Sequence, residues 1–347
     1  MLRIFAISVL LSFGGILNAQ IGGRGTFQAL NLPSSARVAA LGGYQIAVMD
    51  NELTLGYQNP ALLNEEMHKQ ITFNQVNYLS DINFGYAGYA HSIDSLTTIL
   101  VGIQYINYGD FIRADKYGNI NGTFSGDESI VSIGIGRKWD YGLSFGINAK
   151  FIYSQLAQYF SSGLALDLGA TYHKPEYQFT ASLVVRNFGL QFNTYAGTRE
   201  QMPLDIQMGL SKKLANAPFR FNIMAHHLNT PDMSYINPNA QTTINLETGE
   251  PELQTVTLGD NIMRHFVIGT DILLSKNFHI RVGYNHQMRR ELTLDRIKGG
   301  VGYSWGFGLK VWRFHVDYAR TSFHLAGASH FFSATSNLSS WIKKESF

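Results

Sequence analysis

The sequence predicts an all-β fold: an antiparallel transmembrane β-barrel of fourteen strands with an N-terminal plug segment. Three observations lead to this prediction: long runs of strict two-residue alternation, a composition poor in charge, and connections that are short at every second position. Alternation of apolar and polar side chains indicates a strand with one apolar and one polar face. A membrane barrel shows that pattern because its outer face meets lipid while its inner face lines a closed interior.

The clearest alternation lies in the hairpin at 130–154. Val131, Ile133 and Ile135 alternate with serine and glycine, and a second alternating run follows the turn at 138–142. About ten residues that rise ~3.3 Å each and tilt by ~45° span roughly 23 Å, close to the apolar band of an outer-membrane barrel. The hairpin is therefore predicted to cross a membrane twice.

The composition excludes several classes of protein. Charged residues make up 15% of the 347 residues and there are 34 glycines, a mixture too poor in Lys and Glu for an ordinary soluble surface. The formal charge of +2 is too small to indicate a nucleic-acid partner. Because the chain has no cysteine, disulfide scaffolds, cysteine zinc sites, thiol nucleophiles and a lipidated N-terminal cysteine are excluded. The lack of a long apolar run after the N-terminus excludes helical membrane spans.

Residues 1–19 are typical of a secretory signal peptide. Arg3 supplies the positive charge, residues 4–17 the apolar core, and Leu17-Asn18-Ala19 a cleavage site. The alternative, a buried helix or membrane anchor, would require a longer apolar run. We therefore expect the chain to be exported.

Residues 20–67 do not alternate and are predicted to form the plug. The run from Pro33 opens with a helix-start signal and ends at Gly42 and Gly43, where a helix is expected to stop. A segment of this size before the first strand suits barrels whose interior is filled by a helix or loop. The alternative is a periplasmic tail beside the barrel.

Residues 68–347 are predicted to form the barrel. An even number of strands is typical of bacterial single-chain barrels. The predicted strands are 71–79, 82–91, 96–107, 128–137, 142–155, 163–173, 176–187, 203–212, 218–228, 264–275, 277–287, 298–311, 312–321 and 328–338.

Connection lengths support this count and orient the barrel. In bacterial barrels the periplasmic turns are short and the exterior loops longer. Every second connection is short, as at 92–95, 138–141, 174–175 and 213–217, whereas long connections are predicted at 108–127, 188–202 and 229–263. The sequence thus predicts a Gram-negative outer-membrane protein whose long loops lie on the cell exterior.

Charged residues inside the predicted strands provide a second check. A lysine or arginine that faces lipid at mid-depth costs about 2–4 kcal/mol, and one that faces the lumen avoids this cost. A soluble β-sandwich would also alternate, but its surfaces would carry more charge. The following charges all lie on the polar phase of their strands: Lys150, Asp167, Arg186, Asp205, Arg220, Asp271, Arg281, Lys310 and Asp317.

No motif predicts a catalytic, cofactor or metal site. The histidines show no HxxxH or HxH spacing backed by carboxylates, and His226 and His227, neighbours in a predicted strand, are expected to point to opposite faces. The glycine-rich stretches lack the Lys-Ser/Thr of a phosphate loop, and no GxSxG occurs. An outer-membrane hydrolase or acyltransferase assembled from distant loops stays open as an alternative.

Two predicted exterior loops are candidates for contact with a partner. Met288, Arg289 and Arg290 form a concentrated basic feature that could dock an acidic protein surface or lipid headgroups, although a merely solvated loop has the same pattern. The loop at 229–263, which contains Tyr235 and Asn237, is long enough to form a binding lid.

Two N-terminal stretches carry a family resemblance. Residues 30–43 and 59–63 resemble the PorV/PorQ family, relatives of the FadL-type fourteen-stranded barrels, and the likeness extends from about Gly22 to Ser340. Further similar stretches are 102–106, 163–173, 217–221 and 324–329. The residues of the plug motif are Ala36, Arg37, Gly42, Gly43, Asn59, Pro60 and Ala61.

The resemblance implies a non-enzymatic role, without a cofactor, in the type IX secretion system of Bacteroidota. The implied partners are outer-membrane lipid and a PorZ-like surface protein, with PorU-like and PorV-like components of an attachment complex. Two alternatives stay open: a PorV-like shuttle of secreted substrates, and a FadL-like transporter of hydrophobic solutes. The transporter would need an apolar pocket against the plug, for which the candidates are Val38, Leu41, Ile46, Val48 and Leu55.

Overall fold

The structure, a computed structural model, describes residues 25–78, 81–233, 243–244, 251–252, 257–292, 300–324 and 327–341. The predicted signal peptide at 1–19 and the candidate contact residues Tyr235 and Asn237 lie outside these ranges.

Fourteen antiparallel strands form a closed barrel, as predicted. Each strand pairs with its neighbours in sequence, and β1 closes the barrel against β14 from Gln70↔Asn337 to Asn77↔His330. Closure excludes the two-layered sandwich. The strands are β1 Gln70–Asn77, β2 Asn83–Ser92, β3 Thr97–Ala114, β4 Ile120–Lys138, β5 Leu143–Leu156, β6 Tyr159–Lys174, β7 Phe179–Asn193, β8 Asp205–Lys213, β9 Phe219–Ala225, β10 Phe266–Leu273, β11 Phe278–Asn285, β12 Tyr303–Val311, β13 Phe314–His324 and β14 Gly327–Asn337.

Short turns join the strands at one end of the barrel, which we call the short-turn end. The connections from β2 to β3, β4 to β5 and β12 to β13 each span only a few residues. The opposite end carries the connection from β9 to β10, in which Thr243–Ile244 and Pro251–Glu252 pair as a short hairpin. Because bacterial barrels place their short turns in the periplasm, the second end faces the cell exterior.

The predicted long loop at 108–127 is wrong, because most of it is strand. After a register shift at Asn107/Asp110, β3 and β4 stay paired as far as Ala114↔Ile120. Strand β2 pairs with β3 only as far as Asn107 of β3. Beyond that residue β3 and β4 form a two-stranded ribbon that extends past the rest of the wall on that side. The alternation weakens there because neither face is buried, and periodicity therefore missed the extension.

The two faces of the wall have opposite chemistry. On β4, Val131, Ile133 and Ile135 are 40–60% exposed and point away from the barrel. Inward-facing Lys150 and Arg281, by contrast, are fully buried. The prediction that charged side chains within the strands face the lumen is thus confirmed for those that the barrel buries.

Residues 25–67, which we call the lumenal segment, lie inside the barrel. Strands on every side of the barrel bond to it, which is possible only from the interior of a closed wall. The contacts from the wall are Gln104 Nε2 to Ala29 O (3.1 Å), Ser144 Oγ to Ala61 O (2.8 Å), Arg186 Nη2 to Leu30 O (3.3 Å), Asn285 Nδ2 to Gly42 O (3.0 Å) and Ser304 Oγ to Ala40 O (2.9 Å).

The helices are short. In the lumenal segment, α1 spans Ala36–Ala40 and α2 spans Leu53–Gln58, while α3 (Leu258–Arg264) and α4 (His286–Glu291) lie at the exterior end. Within the part of the chain that the structure describes, no helix combines the length and apolarity needed to cross a membrane. The 3₁₀ turns are Gln28–Asn31, Pro60–Leu62, Glu65–Met67, Asp140–Gly142, Pro175–Tyr177 and Leu338–Ser340.

Candidate functional site

The helix start predicted near Pro33 is real. The Ser35 hydroxyl accepts a hydrogen bond from Val38 N, which caps α1, and Ala36 N donates to Ser333 Oγ on β14 at 2.8 Å. Gly42 and Gly43 follow with φ of 96° and 93°, a conformation that favours glycine. After this turn the segment lies against other strands of the wall, since Asn285 of β11 donates to Gly42 O and Gly209 of β8 faces Ile46 and Ala47.

Arg37 is the electrostatic centre of the lumenal segment. Its guanidinium lies 2.7 Å from Glu52, 2.8 Å from Asp50 and 3.7 Å from Asp271 of β10. Its side chain is 5% exposed. A second buried arginine, Arg281 of β11, binds Asp271 and thus joins the network to the wall. Arg220 of β9 pairs with Asp50, and Asp317 of β13 pairs with Arg281, so four strands and the segment share these charges. The segment is therefore held electrostatically as well as by packing.

The Asn59-Pro60-Ala61 motif bonds to the opposite wall. The Asn59 side chain accepts from Ala61 N, which starts a 3₁₀ turn, and donates to Ile46 O at 2.8 Å and Thr171 Oγ1 at 2.9 Å. The wall makes room because a Cβ at Gly146 would overlap the Pro60 backbone. Of the seven residues of the plug motif, all but Gly43 thus lie at a contact between the segment and the wall.

Three of the five residues proposed for an apolar transport pocket pack against one another. Val38, Val48 and Leu55 form a buried cluster with Leu62, each at most 1% exposed. Ile46 belongs to a second buried cluster. Leu41 lies against Gly269 of the wall. Of the five residues, Val48 also lines a smaller cavity, of about 210 Å³, at the short-turn end.

The candidate contact residues of α4 differ in exposure. Met288 is half-buried and packs against the apolar cluster inside the barrel, while the Arg289 guanidinium lies over the Tyr303 ring at 5.9 Å. Arg290 is 52% exposed, and its Nε lies 2.6 Å from Asp260 of α3. Of these three, Arg290 is the residue most open to a partner.

Asp260 joins the two exterior helices. It accepts hydrogen bonds from Arg264 at 3.0 Å and His286 at 3.0 Å, besides Arg290. Partial burial alone would raise the pKa of Asp260, but the donors from His286, Arg264 and Arg290 lower it below its ordinary value. The Asp260 carboxylate therefore links α3 to α4 through ion pairs and hydrogen bonds.

The expectation that His226 and His227 point apart is wrong. Strand β9 ends at Ala225, and His227 adopts φ of 53°, which turns its ring back so that the two Nδ1 atoms lie 2.7 Å apart. Burial, with His227 and His265 nearby, holds the pKa of His226 well below its ordinary value. The neutral His226 ring stacks on Tyr44 of the lumenal segment, with 4.2 Å between ring centroids. The pair therefore packs the exterior loop onto the segment.

One group of side chains has the ligand types of a metal site. Glu52, His315 and Asp317 bring ligand atoms within 4.8 Å of one another. Both carboxylates are already engaged, Glu52 by Arg37 and Asp317 by Arg281. The group therefore belongs to the buried ion-pair network.

Two large cavities open at the short-turn end. One, of about 490 Å³, lies beside the turns from β2 to β7 and is lined by Glu65 and Glu66 among others. The other, of about 430 Å³, lies beside β9 to β14 and contains Lys276, Lys310 and Arg313. Sequence reasoning missed this basic group. The sequence does place these cations at the short-turn ends of successive strands. They form a cluster only when the barrel closes and brings those strand ends together.

Comparison with solved structures identifies the fold. The Ralstonia pickettii toluene transporter TbuX is similar with a TM-score of 0.50 and 10% identity, over 88% of this chain and 97% of that chain. The CymD monoaromatic hydrocarbon channel is similar with a TM-score of 0.55 and 13% identity, over 89% of this chain and 98% of that chain. At the sequence level, no family model and no curated protein matches.

These likenesses show the fold alone, because both identities are far below 25%. The chain has the fold of these barrels, and its strand order shows a closed antiparallel barrel of fourteen strands, typical of the outer membrane. The two similar proteins are a transporter and a channel rather than enzymes.

Proposed function

We propose that this barrel is a non-enzymatic anchor of the type IX secretion system, a PorQ-like member of the PorV/PorQ family that holds a PorZ-like surface protein on the outer membrane. PorU-like and PorV-like components would complete the attachment complex. The motif at 30–43 and the Asn59-Pro60-Ala61 stretch support this assignment by resemblance.

The observation that carries the proposal is the set of buried bonds between the lumenal segment and the wall. A conduit needs a path for its solute, whereas an anchor needs only a rigid wall and exposed loops. The lumenal segment bonds to the wall through Arg37, Asn59 and the buried pair of Ser304 with Ala40. Removing such contacts leaves buried charges and polar groups unpaired, so displacing the segment is costly. This packing favours a static role.

The partner would bind at the exterior end. Met288, Arg289 and Arg290, with Tyr235 and Asn237 of the long loop, are the proposed contact residues. Arg290 is open enough to meet a partner directly, while Met288 holds α4 against the barrel. A closed barrel satisfies every strand amide, so the exterior loops are the surface free to specialise.

Co-purification from outer membranes tests the anchor. The full chain, a variant with residues 234–256 shortened and an Arg290→Glu variant are compared for the PorZ-like protein that they retain. We expect both changes to reduce retention, whereas Arg113→Glu, an exposed exterior cation on β3, serves as the matched control. Undiminished retention in both variants, or no PorZ-like protein with the full chain, would overturn the proposal.

The alternative is transport of hydrophobic solutes, which the likeness to TbuX and CymD favours. It requires the lumenal segment to move. A Cβ added at Gly209 would lie 3.0 Å from the Ala47 Cβ, closer than the ~3.5–4.5 Å of a disulfide, and 2.6 Å from the Met224 sulfur. A Gly209→Cys/Ala47→Cys disulfide therefore requires a small shift of the segment and of the Met224 side chain, and once formed it would lock the segment to β8. Transport predicts that oxidation abolishes uptake of a monoaromatic hydrocarbon and that reduction restores it. An anchor predicts unchanged partner retention in both states.

A PorV-like shuttle of secreted substrates is a third proposal. It predicts that substrates, rather than a stable surface protein, are captured by crosslinking at the exterior loops. The same purified complexes distinguish this outcome from the anchor.

A further inference from the structure

The cavity of about 430 Å³ at the short-turn end is lined by six lysine and arginine side chains but only two carboxylates, Asp50 and Glu52. Inward-facing Arg220, Arg281 and Lys310 come from β9, β11 and β12, and Lys276 and Arg313 come from the adjoining turns. The lumenal segment closes the back of the cavity. Cations from successive strands thus converge on one volume.

The charges at the back of the cavity are already balanced. Arg37, Arg220 and Arg281 make ion pairs with four carboxylates: Asp50, Glu52, Asp271 and Asp317. This part of the cavity therefore carries no excess of positive charge.

The cations at the mouth are not balanced. Among the described residues, Lys276, Lys310 and Arg313 have no carboxylate within the 4.0 Å of an ion pair. All three line the cavity. Unscreened cations that converge on a concave, low-dielectric wall attract an anion.

Among the residues that the structure describes, none accepts a hydrogen bond from the Arg313 guanidinium, which is held in place by aromatic rings. Its guanidinium lies 4.4 Å from the Trp312 ring and 4.9 Å from the Trp341 ring. Stacking on aromatic faces orders a guanidinium and leaves its N–H edge free for a planar or tetrahedral oxyanion. Such an arginine is prepared for a phosphate.

Aromatic residues at the edge of the cavity place its opening at the depth of the lipid headgroups. Trp312 and Phe314 are 68% and 40% exposed and contact Trp341 at ring-centroid distances of 5.0 and 5.5 Å. Exposed tryptophan at a strand end marks the membrane interface of a barrel. Because Trp312 and Phe314 also line the cavity, the opening reaches from the lumen to that interface.

We propose that this cavity binds the phosphate of a phospholipid from the inner leaflet of the outer membrane. Lys276, Lys310 and Arg313 bind the phosphate oxygens, and Trp312 and Phe314 contact the start of the acyl chains. The cavity on the other side of the barrel, with Glu65 and Glu66, has the wrong charge for the same ligand. The site is independent of the type IX assignment.

Native mass spectrometry of the full chain in detergent tests the site. Phosphatidylglycerol is the probe, diacylglycerol is the lipid without phosphate, and inorganic phosphate is the competitor without acyl chains. The test variants are Lys310→Gln/Arg313→Gln and Lys276→Gln. The matched control is Lys138→Gln/Lys174→Gln, exposed cations at the same end beside β4 and β6. Heat-modifiable migration on gels shows that each variant is folded.

We expect the full chain to retain phosphatidylglycerol but not diacylglycerol, and inorganic phosphate to reduce that retention. Each lost cation is expected to weaken retention about fivefold, from the ~1 kcal/mol that a basic residue contributes near anionic lipid. Retention that is unchanged in the double variant, or that falls equally in the control pair, would overturn the site. Binding of inorganic phosphate without retention of the lipid would overturn the lipid as its source.

Discussion

At the scale of single residues, buried charge is the main feature of the lumen. Lys150 and Asp167 are both fully buried and lie 2.6 Å apart, with Asn187 and the Tyr57 ring as further partners of the lysine. Desolvation of such a pair costs about as much as the attraction returns, but removal of one partner is expensive. The buried ion pairs therefore specify how the segment sits more than they add stability.

The Arg37→Met variant tests this role. It leaves Asp50, Glu52 and Asp271 clustered without their shared cation, so we expect the free energy of unfolding to fall by about 3–5 kcal/mol. Equilibrium unfolding by urea in lipid vesicles measures the loss. Arg113→Met, which removes an exposed cation, should be nearly neutral; equal effects of the two changes would contradict the role of Arg37.

At the scale of elements, the strands show where the membrane ends. Asn107 of β3 donates to Asp127 of β4 at 2.8 Å on the exposed surface, just above the apolar residues of both strands. The ribbon that continues to Ala114 therefore projects from the membrane into the exterior medium.

Lysine substitutions on either side of that polar pair test the boundary. Ile133 is 60% exposed within the apolar band, so Ile133→Lys should lower the free energy of unfolding by about 2–4 kcal/mol. Ile112 is 67% exposed above the band, and Ile112→Lys should change it by less than ~0.5 kcal/mol. Unfolding in vesicles measures both, and similar losses would place Ile112 in lipid.

The contact between α3 and α4 is expected to depend on pH. Because donors from His286, Arg264 and Arg290 lower the folded-state pKa of Asp260, its carboxylate stabilises the contact above its unfolded pKa of about 4. That stabilising contribution is lost as the pH falls through the lowered pKa of Asp260 in the folded state. Hydrogen exchange of both helices, corrected for intrinsic rates, should show acid-induced opening in the native chain. In the Asp260→Asn variant the helices should be open already at neutral pH. Strong protection of their amides against exchange in that variant would refute the linking role of Asp260.

At the scale of the whole molecule, closure of the barrel around the lumenal segment is the decisive event. A wall of this many strands encloses space that the segment occupies, with glycines such as Gly146 and Gly283 allowing its backbone to approach. The segment and the wall therefore act as one packed body.

Deletion of residues 25–63 tests whether the segment closes the passage. The shortened barrel should conduct ions steadily in planar bilayers, because a wall lined by Lys150, Asp167 and Arg281 would then fill with water. The full chain, and the chain locked by Gly209→Cys/Ala47→Cys, should conduct far less. Equal conductance of the deleted and full chains would show that the segment does not close the lumen.

Much of the fold could be predicted because its signal is local. Each strand carries its own two-residue period, and the inward phase of Lys150 or Asp271 follows from its immediate neighbours. The helix start at Ser35 and the stop at Gly42 are likewise set by local backbone chemistry. Contact residues were harder: Met288 reads as part of a basic loop but packs inward, because the lumenal segment lies beneath it.

The sequence by itself determined the number of strands, their order and which face of each meets lipid. Tertiary structure alone decided that Arg37 meets Asp271, that His226 stacks on Tyr44, and that Lys276, Lys310 and Arg313 surround one cavity. The physical reason is the range of the interactions. Alternation is imposed by neighbours two residues apart, whereas closure of the barrel brings together groups separated by up to hundreds of residues, and no local pattern records those meetings.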